Sequence, residues 1–127
     1  MPLVRINLAP GKSPEYRRTI GDVVYESMRA TIDVPADDRF QLFGEHAPGN
    51  FSIDPTYLDI RRSADWLVIE ITLREGRTVE KKQALYKAIA AGLHERLAVR
   101  PEDVFIVLTE VKKENWSFGN GVAQYVT

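Results

Sequence analysis

The chain predicts an α+β fold of two layers, in which two pseudo-symmetric β-α-β units build one four-stranded sheet with two helices on one face. Three observations predict it: an internal repeat, the same strand and helix signals in each copy, and a composition suited to a buried core. Sliding the 127-residue sequence over itself by 65 positions lays residues 3–45 on residues 68–110 without a gap. Ile6 meets Ile71, Leu8 meets Leu73, Gly11 meets Gly76 and Glu15 meets Glu80, while Val34, Asp38, Phe40 and Glu45 meet Val99, Asp103, Phe105 and Glu110. The copies span about residues 2–46 and 66–112, with a connecting loop at 47–65 and a C-terminal arm at 113–127, all within one expected domain over 1–127.

The first strand, LVRINL, alternates apolar and polar residues and stops at Gly11. Ser13-Pro14-Glu15 then supplies an N-cap, a proline at the first helical position and an acid in the first turn. Tyr16, Ile20, Val23, Val24, Met28 and Ile32 form a single helical stripe. The acidic turn PADDRF leads into the closing strand RFQLFGE. A helix between two strands makes the strands parallel and the crossover right-handed.

The linker carries Pro48-Gly49 and Asp54-Pro55, which mark a loop with at most a short strand at 50–53. The second copy repeats the pattern with LVIEITL, Gly76, a Thr78 cap, Glu80, a stripe at Leu85, Ile89, Leu93 and Leu97, and the strand VFIVLTE after RPEDVF. Beyond it, ENWSFGNGVAQYV reads as a small hairpin or arm around Gly119-Asn120-Gly121. A pseudo-twofold axis would pair the two first strands antiparallel. The expected register sets Leu3 opposite Leu73 and Leu8 opposite Val68, and therefore Pro2 opposite Arg74. No residues remain to cover the second sheet face, so association of copies is the expected cover.

The bulk properties exclude several classes. With 44% hydrophobic and 28% charged residues and a net charge of −1, the profile is globular and lacks the basic stripe a nucleic-acid binder needs. Without cysteine there is no disulfide, thiolate ligand or thiol nucleophile, and His46 and His94 alone make no zinc site. No metal site of these kinds is expected. Neither a signal peptide nor an apolar run long enough to span a bilayer is present, so a cytoplasmic location away from membranes is expected. The GKS at 11–13 lacks the earlier glycine of a phosphate-binding loop, and no nucleophile elbow, zinc-binding helix or dinucleotide fingerprint occurs.

A duplication carries its own control, since residues kept in both copies answer to structure while unmatched ones are candidates for chemistry. Pro2 falls opposite Leu67 and Arg74 opposite Ala9; both depart from the pattern. Asp38 has its mate in Asp103, the reading of a turn former, and Arg77 faces Lys12. Met1 is ordinarily removed when proline follows, which would make the ring nitrogen of Pro2 a free secondary amine. An α-amino group titrates near 8, and burial or nearby cations push it lower, so Pro2 could take or deliver a proton beside a carbonyl. Arg74 offers a planar fork for a carboxylate. The pair suits a small oxo acid, against the plainer readings of a strand start and a surface ion pair. Trp116, Phe118 and Tyr125 fit either an apolar pocket wall or a subunit contact.

Together the stretches MPLVRINL, VPADDRFQ, EHAPG, LREGRTVEKKQALYK and ENWSFGNG with the following AQY resemble the tautomerase superfamily. The closer resemblance is to its malonate semialdehyde decarboxylase-like group. That resemblance implies a homotrimer with sites near subunit boundaries, no cofactor, and a small carboxylate as substrate, worked on by tautomerisation (isomerase) or decarboxylation (lyase). By the resemblance, Pro2 matches the catalytic proline, Asp38 the aspartate that positions water, Arg74 the first carboxylate-binding arginine, and Trp116, Phe118 and Tyr125 the aromatic wall. Gly76 stands where the second arginine is expected, and Arg77, one residue further on, is expected to help Arg74 hold the substrate carboxylate. The competing class is a non-catalytic trimer that binds a carboxylate or a protein partner.

Overall fold

Each copy of the repeat folds as strand, helix, strand. In the computed structural model, which describes residues 2–126, the elements are β1 (Leu3–Leu8), α1 (Pro14–Thr31), β2 (Gln41–Glu45), β3 (Leu67–Arg74), α2 (Val79–Leu97) and β4 (Val104–Val111). The helix starts are capped as the sequence predicts: Ser13 accepts from the Tyr16 N–H at 3.0 Å and Thr78 from that of Lys81 at 3.2 Å. Gly11 and Gly76, matched in the repeat, both take φ values of the left-handed region, +106° and +121°, where a side chain is strained. The matched acids Glu45 and Glu110 also have one job, pairing with Arg17 at 3.0 Å and Lys82 at 2.6 Å in the helix of their own copy.

The sheet order is β2-β1-β3-β4, parallel within each copy and antiparallel at the central β1–β3 seam. Val4, Ile6 and Leu8 of β1 and Leu67, Ile69, Ile71 and Leu73 of β3 are buried. They pack with Ile20, Val24 and Met28 of α1 and Leu85, Ile89 and Leu93 of α2 in one core. The expected seam register is wrong by one residue. Leu3 pairs with Thr72 and Leu8 with Leu67, not with Leu73 and Val68. Directly opposed residues share a face, and a slip of one would set the outward Leu3 against the buried Leu73. The observed register instead pairs Val4 with Ile71 inside and Arg5 with Glu70 outside.

The helices meet where Gly92 faces Val23; a β-carbon on Gly92 would lie 2.8 Å from Val23 Cγ1. Val23 is buried and stiff at χ1, so it cannot swing aside. Gly92→Ala gains about 1 kcal/mol of helix propensity and loses about 1–3 kcal/mol to overpacking. We expect a net fall in thermal midpoint for Gly92→Ala, and a smaller effect of that change in a Val23→Ala background than in the parent, measured by calorimetry on both single variants and the double variant.

The other sheet face carries Leu42 of β2 and Phe105 and Val107 of β4, all exposed. Residues 50–53 form no strand, and the linker's only regular piece among the described residues is a short 3-10 turn at Tyr57–Asp59. Of the two readings of the C-terminus, hairpin or arm, the arm is the one that forms, without strands. Gln124 replaces a ladder there, accepting from the Phe118 N–H at 2.9 Å and donating to the Gly119 carbonyl at 2.8 Å.

Candidate active site

Antiparallel pairing of β1 with β3 sets the start of β1 and the end of β3 at the same end of the sheet. Pro2, directly before β1, is buried. By the register it stands beside Leu73 rather than opposite Arg74, so the ring continues the core-facing series of Val4 and Ile6 while Arg74 falls on the outward series. The amine and guanidinium positions are diagonal neighbours across the rim. Parallel pairing of Val4 with Gln41, with the Val4 N–H on the Phe40 carbonyl at 3.0 Å, brings the 36–39 turn alongside Pro2.

That turn holds Asp38, which is buried. Burial pushes its carboxyl above the ordinary 3.8, against the opposing pull of the amino-terminal charge and Arg77. The repeat mate Asp103 is committed elsewhere. Its oxygens accept from the Ser63 N–H and hydroxyl, each at 2.6 Å. The two aspartates share a turn but not an occupation.

Asp38 supplies a pH prediction. With its native pKa raised, the folded chain holds this proton at pH values where the unfolded chain has released it, so stability is lost as pH rises from 3.8 through the raised value. Asp38→Asn removes that loss. The expected result is a higher thermal midpoint at pH 7 than the parent, with little difference at pH 3; a lower midpoint at pH 7 would mean that attraction, not burial, governs the carboxylate.

Arg74 is exposed and lies over the Tyr125 ring, with Cζ 5.5 Å from the centroid. Tyr125 meets Phe118 edge-on at 5.0 Å, and Phe118 stacks on Trp116 at 5.4 Å. The arm thus builds the aromatic wall against the arginine of its own chain. Burial raises the Tyr125 phenol above 10.0, with Asp38 pushing the same way and Arg74 and Arg77 opposing, so these four side chains share one electrostatic neighbourhood. The indole N–H of Trp116 is buried with no hydrogen-bond partner among the described residues.

Arg77 behaves differently from the substrate contact the sequence predicts. Its Nε and Nη2 donate to the Ile32 carbonyl at 3.3 and 3.2 Å, and Nη1 donates to the Arg74 carbonyl at 2.9 Å. The guanidinium ties the end of α1 to the loop after β3 and adds positive charge beside Asp38. A cavity of about 330 Å³ opens here, bounded by Ile32, Arg74, Arg77 and the ion pair of Lys81 with Asp33 at 2.6 Å. Sequence reasoning missed Lys81 and Asp33, which sit 48 residues apart and carry no motif.

Among the described residues no cluster of acids and histidines could hold a metal ion, and no helix is long and apolar enough to cross a membrane. His46 contacts Asn7 at 2.9 Å, at the far end of the sheet from Pro2.

Comparison with known proteins agrees with this architecture. The profile of one tautomerase enzyme family matches residues 38–119 and that of another matches residues 2–61. The chain is 42% identical over 126 residues, 99% of either chain, to the probable tautomerase YusQ of Bacillus subtilis (strain 168). It is 32% identical over 127 residues to the probable tautomerase YrdN of the same organism, covering 100% of this chain and 98% of the relative. Among solved structures, FG41 malonate semialdehyde decarboxylase inhibited by 3-bromopropiolate superposes with a TM-score of 0.90 at 39% identity, covering 98% of this chain and 94% of the other. A second malonate semialdehyde decarboxylase, described with decarboxylase and hydratase activities, gives 0.91 at 29% identity over 98% and 95%. A duplicated chain with a repeat-built four-stranded sheet, two helices on one face and matches of this extent belongs to the tautomerase family of enzymes.

Proposed function

We propose that the chain is a cofactor-independent enzyme that uses the amine of Pro2, freed by loss of Met1, for proton transfer on a small oxo or enol carboxylic acid. The observation that carries this reading is the meeting of Pro2, Asp38, Arg74, Arg77 and the Trp116–Phe118–Tyr125 wall at one sheet end. Arg74 binds the carboxylate through a two-pronged, charge-assisted contact while its face rests on Tyr125. Arg77 holds the loop that presents Arg74, and its charge favours an anionic substrate. In tautomerisation, neutral Pro2 takes a proton from the carbon beside the carbonyl and returns it to the neighbouring end of the enol system. In decarboxylation of the malonate semialdehyde type, a protonated Pro2 polarises the aldehyde as carbon dioxide leaves and then protonates the resulting carbanion equivalent. Asp38 orients the amine or a water in either case.

A homotrimer acting in the cytoplasm completes the proposal. The exposed Leu42, Phe105 and Val107 give one sheet face a reason to be covered by further copies. The deciding experiment pairs intact-mass measurement with assays on an enol-pyruvate and on malonate semialdehyde. The expected result is a chain lacking Met1 that turns over at least one of them. Full activity with Met1 retained, or unchanged activity in Pro2→Ala, overturns the amine mechanism and leaves a carboxylate- or partner-binding protein.

A further inference from the structure

The repeat that places Pro2 at one end of the sheet also defines an equivalent place at the other. There Leu67 stands for Pro2, Ala9 for Arg74, and Asp103, occupied by Ser63, for Asp38. A cavity of about 450 Å³ lies at this end, and Ala9 and Ser63 are among its lining residues. Its walls are apolar, from Pro48, Phe51, Ile53 and Pro55 of the linker and Trp66 just before β3. Phe51 packs on the Trp66 ring with centroids 4.9 Å apart.

Two polar groups in this wall lack the partners their chemistry calls for. Trp66 is 5% exposed, and its indole N–H has no hydrogen-bond partner among the described residues. A donor withdrawn from water in this way is unfavourable until an acceptor reaches it. Arg62, half-buried, places one N–H on the Ile60 carbonyl at 3.3 Å and its face 6.0 Å from the Phe105 centroid; it has no acidic partner among the described residues. The nearby acids are engaged elsewhere, Asp103 by Ser63, Asp65 by Lys12 at 2.8 Å, and Asp54 by the Thr56 N–H at 2.9 Å. A cation and a buried donor carried by two residues that line one apolar cavity ask for an anionic acceptor on an apolar body, and the volume accommodates one ring with a short acid arm.

The geometry points to a second ligand site at this end of the sheet, taking a small aromatic monocarboxylate: the acid bridges Arg62 and the indole N–H of Trp66 while its ring lies among Phe51, Ile53 and Pro55. The site binds without chemistry, because Leu67 and Ala9 replace the amine and the arginine of the opposite end. It stands independently of the reaction proposed for Pro2.

The test is a titration of the full-length 15N-labelled protein with phenylacetate, reading the two indole N–H resonances by NMR. Trp66→Phe, or Trp116→Phe if the first variant does not fold, assigns them. The expected result is a saturable shift of the Trp66 signal that persists in Pro2→Ala, is absent with the neutral phenylacetamide, and weakens about 10–100-fold in Arg62→Gln. An unmoved Trp66 signal, or equal responses to acid and amide, overturns the proposal. So does a Trp66 signal that moves with protein concentration alone, since the cavity would then be filled by a second copy of the chain. The acid and amide comparison uses the unaltered protein, so it decides the matter even if Arg62→Gln is unstable.

Discussion

Pro2→Ala lowers kcat/KM toward a small oxo acid by about 10²–10⁴-fold, the range that a positioned acid or base contributes. The loss falls mainly on kcat, because the carboxylate contacts at Arg74 remain. Alanine keeps an amino group after loss of Met1 but exchanges a ring nitrogen of locked φ for a mobile primary amine at the mouth of β1. Geometry suffers before basicity does, and misplacement of a reacting group is costly in rate. Steady-state kinetics on protein of verified mass is the measurement. Its companion is the pH profile, in which the limb belonging to the amine moves in Pro2→Ala and shifts to higher pH in Arg74→Ala, where the neighbouring cation that lowers the amine is lost.

Arg74→Ala costs about 10²-fold or more in kcat/KM and appears first in KM, since a carboxylate loses a two-pronged charge-assisted contact. Arg77 cannot stand in. Three of its N–H groups already serve the carbonyls of Ile32 and Arg74, and turning it toward the substrate would strand both acceptors. Arg74→Lys restores the charge but neither the fork nor full stacking on Tyr125, so it recovers only a minor part of the loss. Recovery of most of the activity by lysine would reduce Arg74 to a point charge and remove the bidentate contact from the mechanism.

Much of the fold was legible because the repeat reported constraints twice. Ser13 with Thr78 and Gly11 with Gly76 read as caps and breaks in the sequence, and their bonds and φ values agree. Glu45 and Glu110, matched without a stated reason, turn out to anchor the helix of each copy. A twofold axis is satisfied by either of two seam pairings, so the axis alone does not fix the register. Only face parity separates them, and Arg5 with Glu70 was the available clue. The Gly119-Asn120-Gly121 signal fits a hairpin or an arm, and the arm forms: its flanks do not pair as strands, and Gln124 closes the turn with its side chain.

The candidate site divides along similar lines. Pro2 and Arg74 stand out as positions without a counterpart, and the seam brings both to one end of the sheet as diagonal neighbours rather than as a directly opposed pair. Asp38 looked like a turn former because of Asp103. Its separate status lies in its surroundings, with Arg77 nearby, which no single position reveals. The role of Arg77 was hidden for a related reason, since its acceptors are backbone carbonyls and any residue type could have supplied them.

The anchoring of the loop after β3 also bears on motion. The Glu75 N–H is bound by the Val111 carbonyl at 2.9 Å, the Gly76 N–H by Glu110 at 3.3 Å, and the Arg77 side chain by two carbonyls. A loop held from three directions has no hinge at which to open, so Arg74 meets its ligand in a conformation already present. Amide exchange at Glu75 and Gly76 is therefore expected to be slow, close to that of the central strands rather than of the 47–65 linker. Substrate would enter past a stationary rim, and little of its binding energy would go into rearranging the protein.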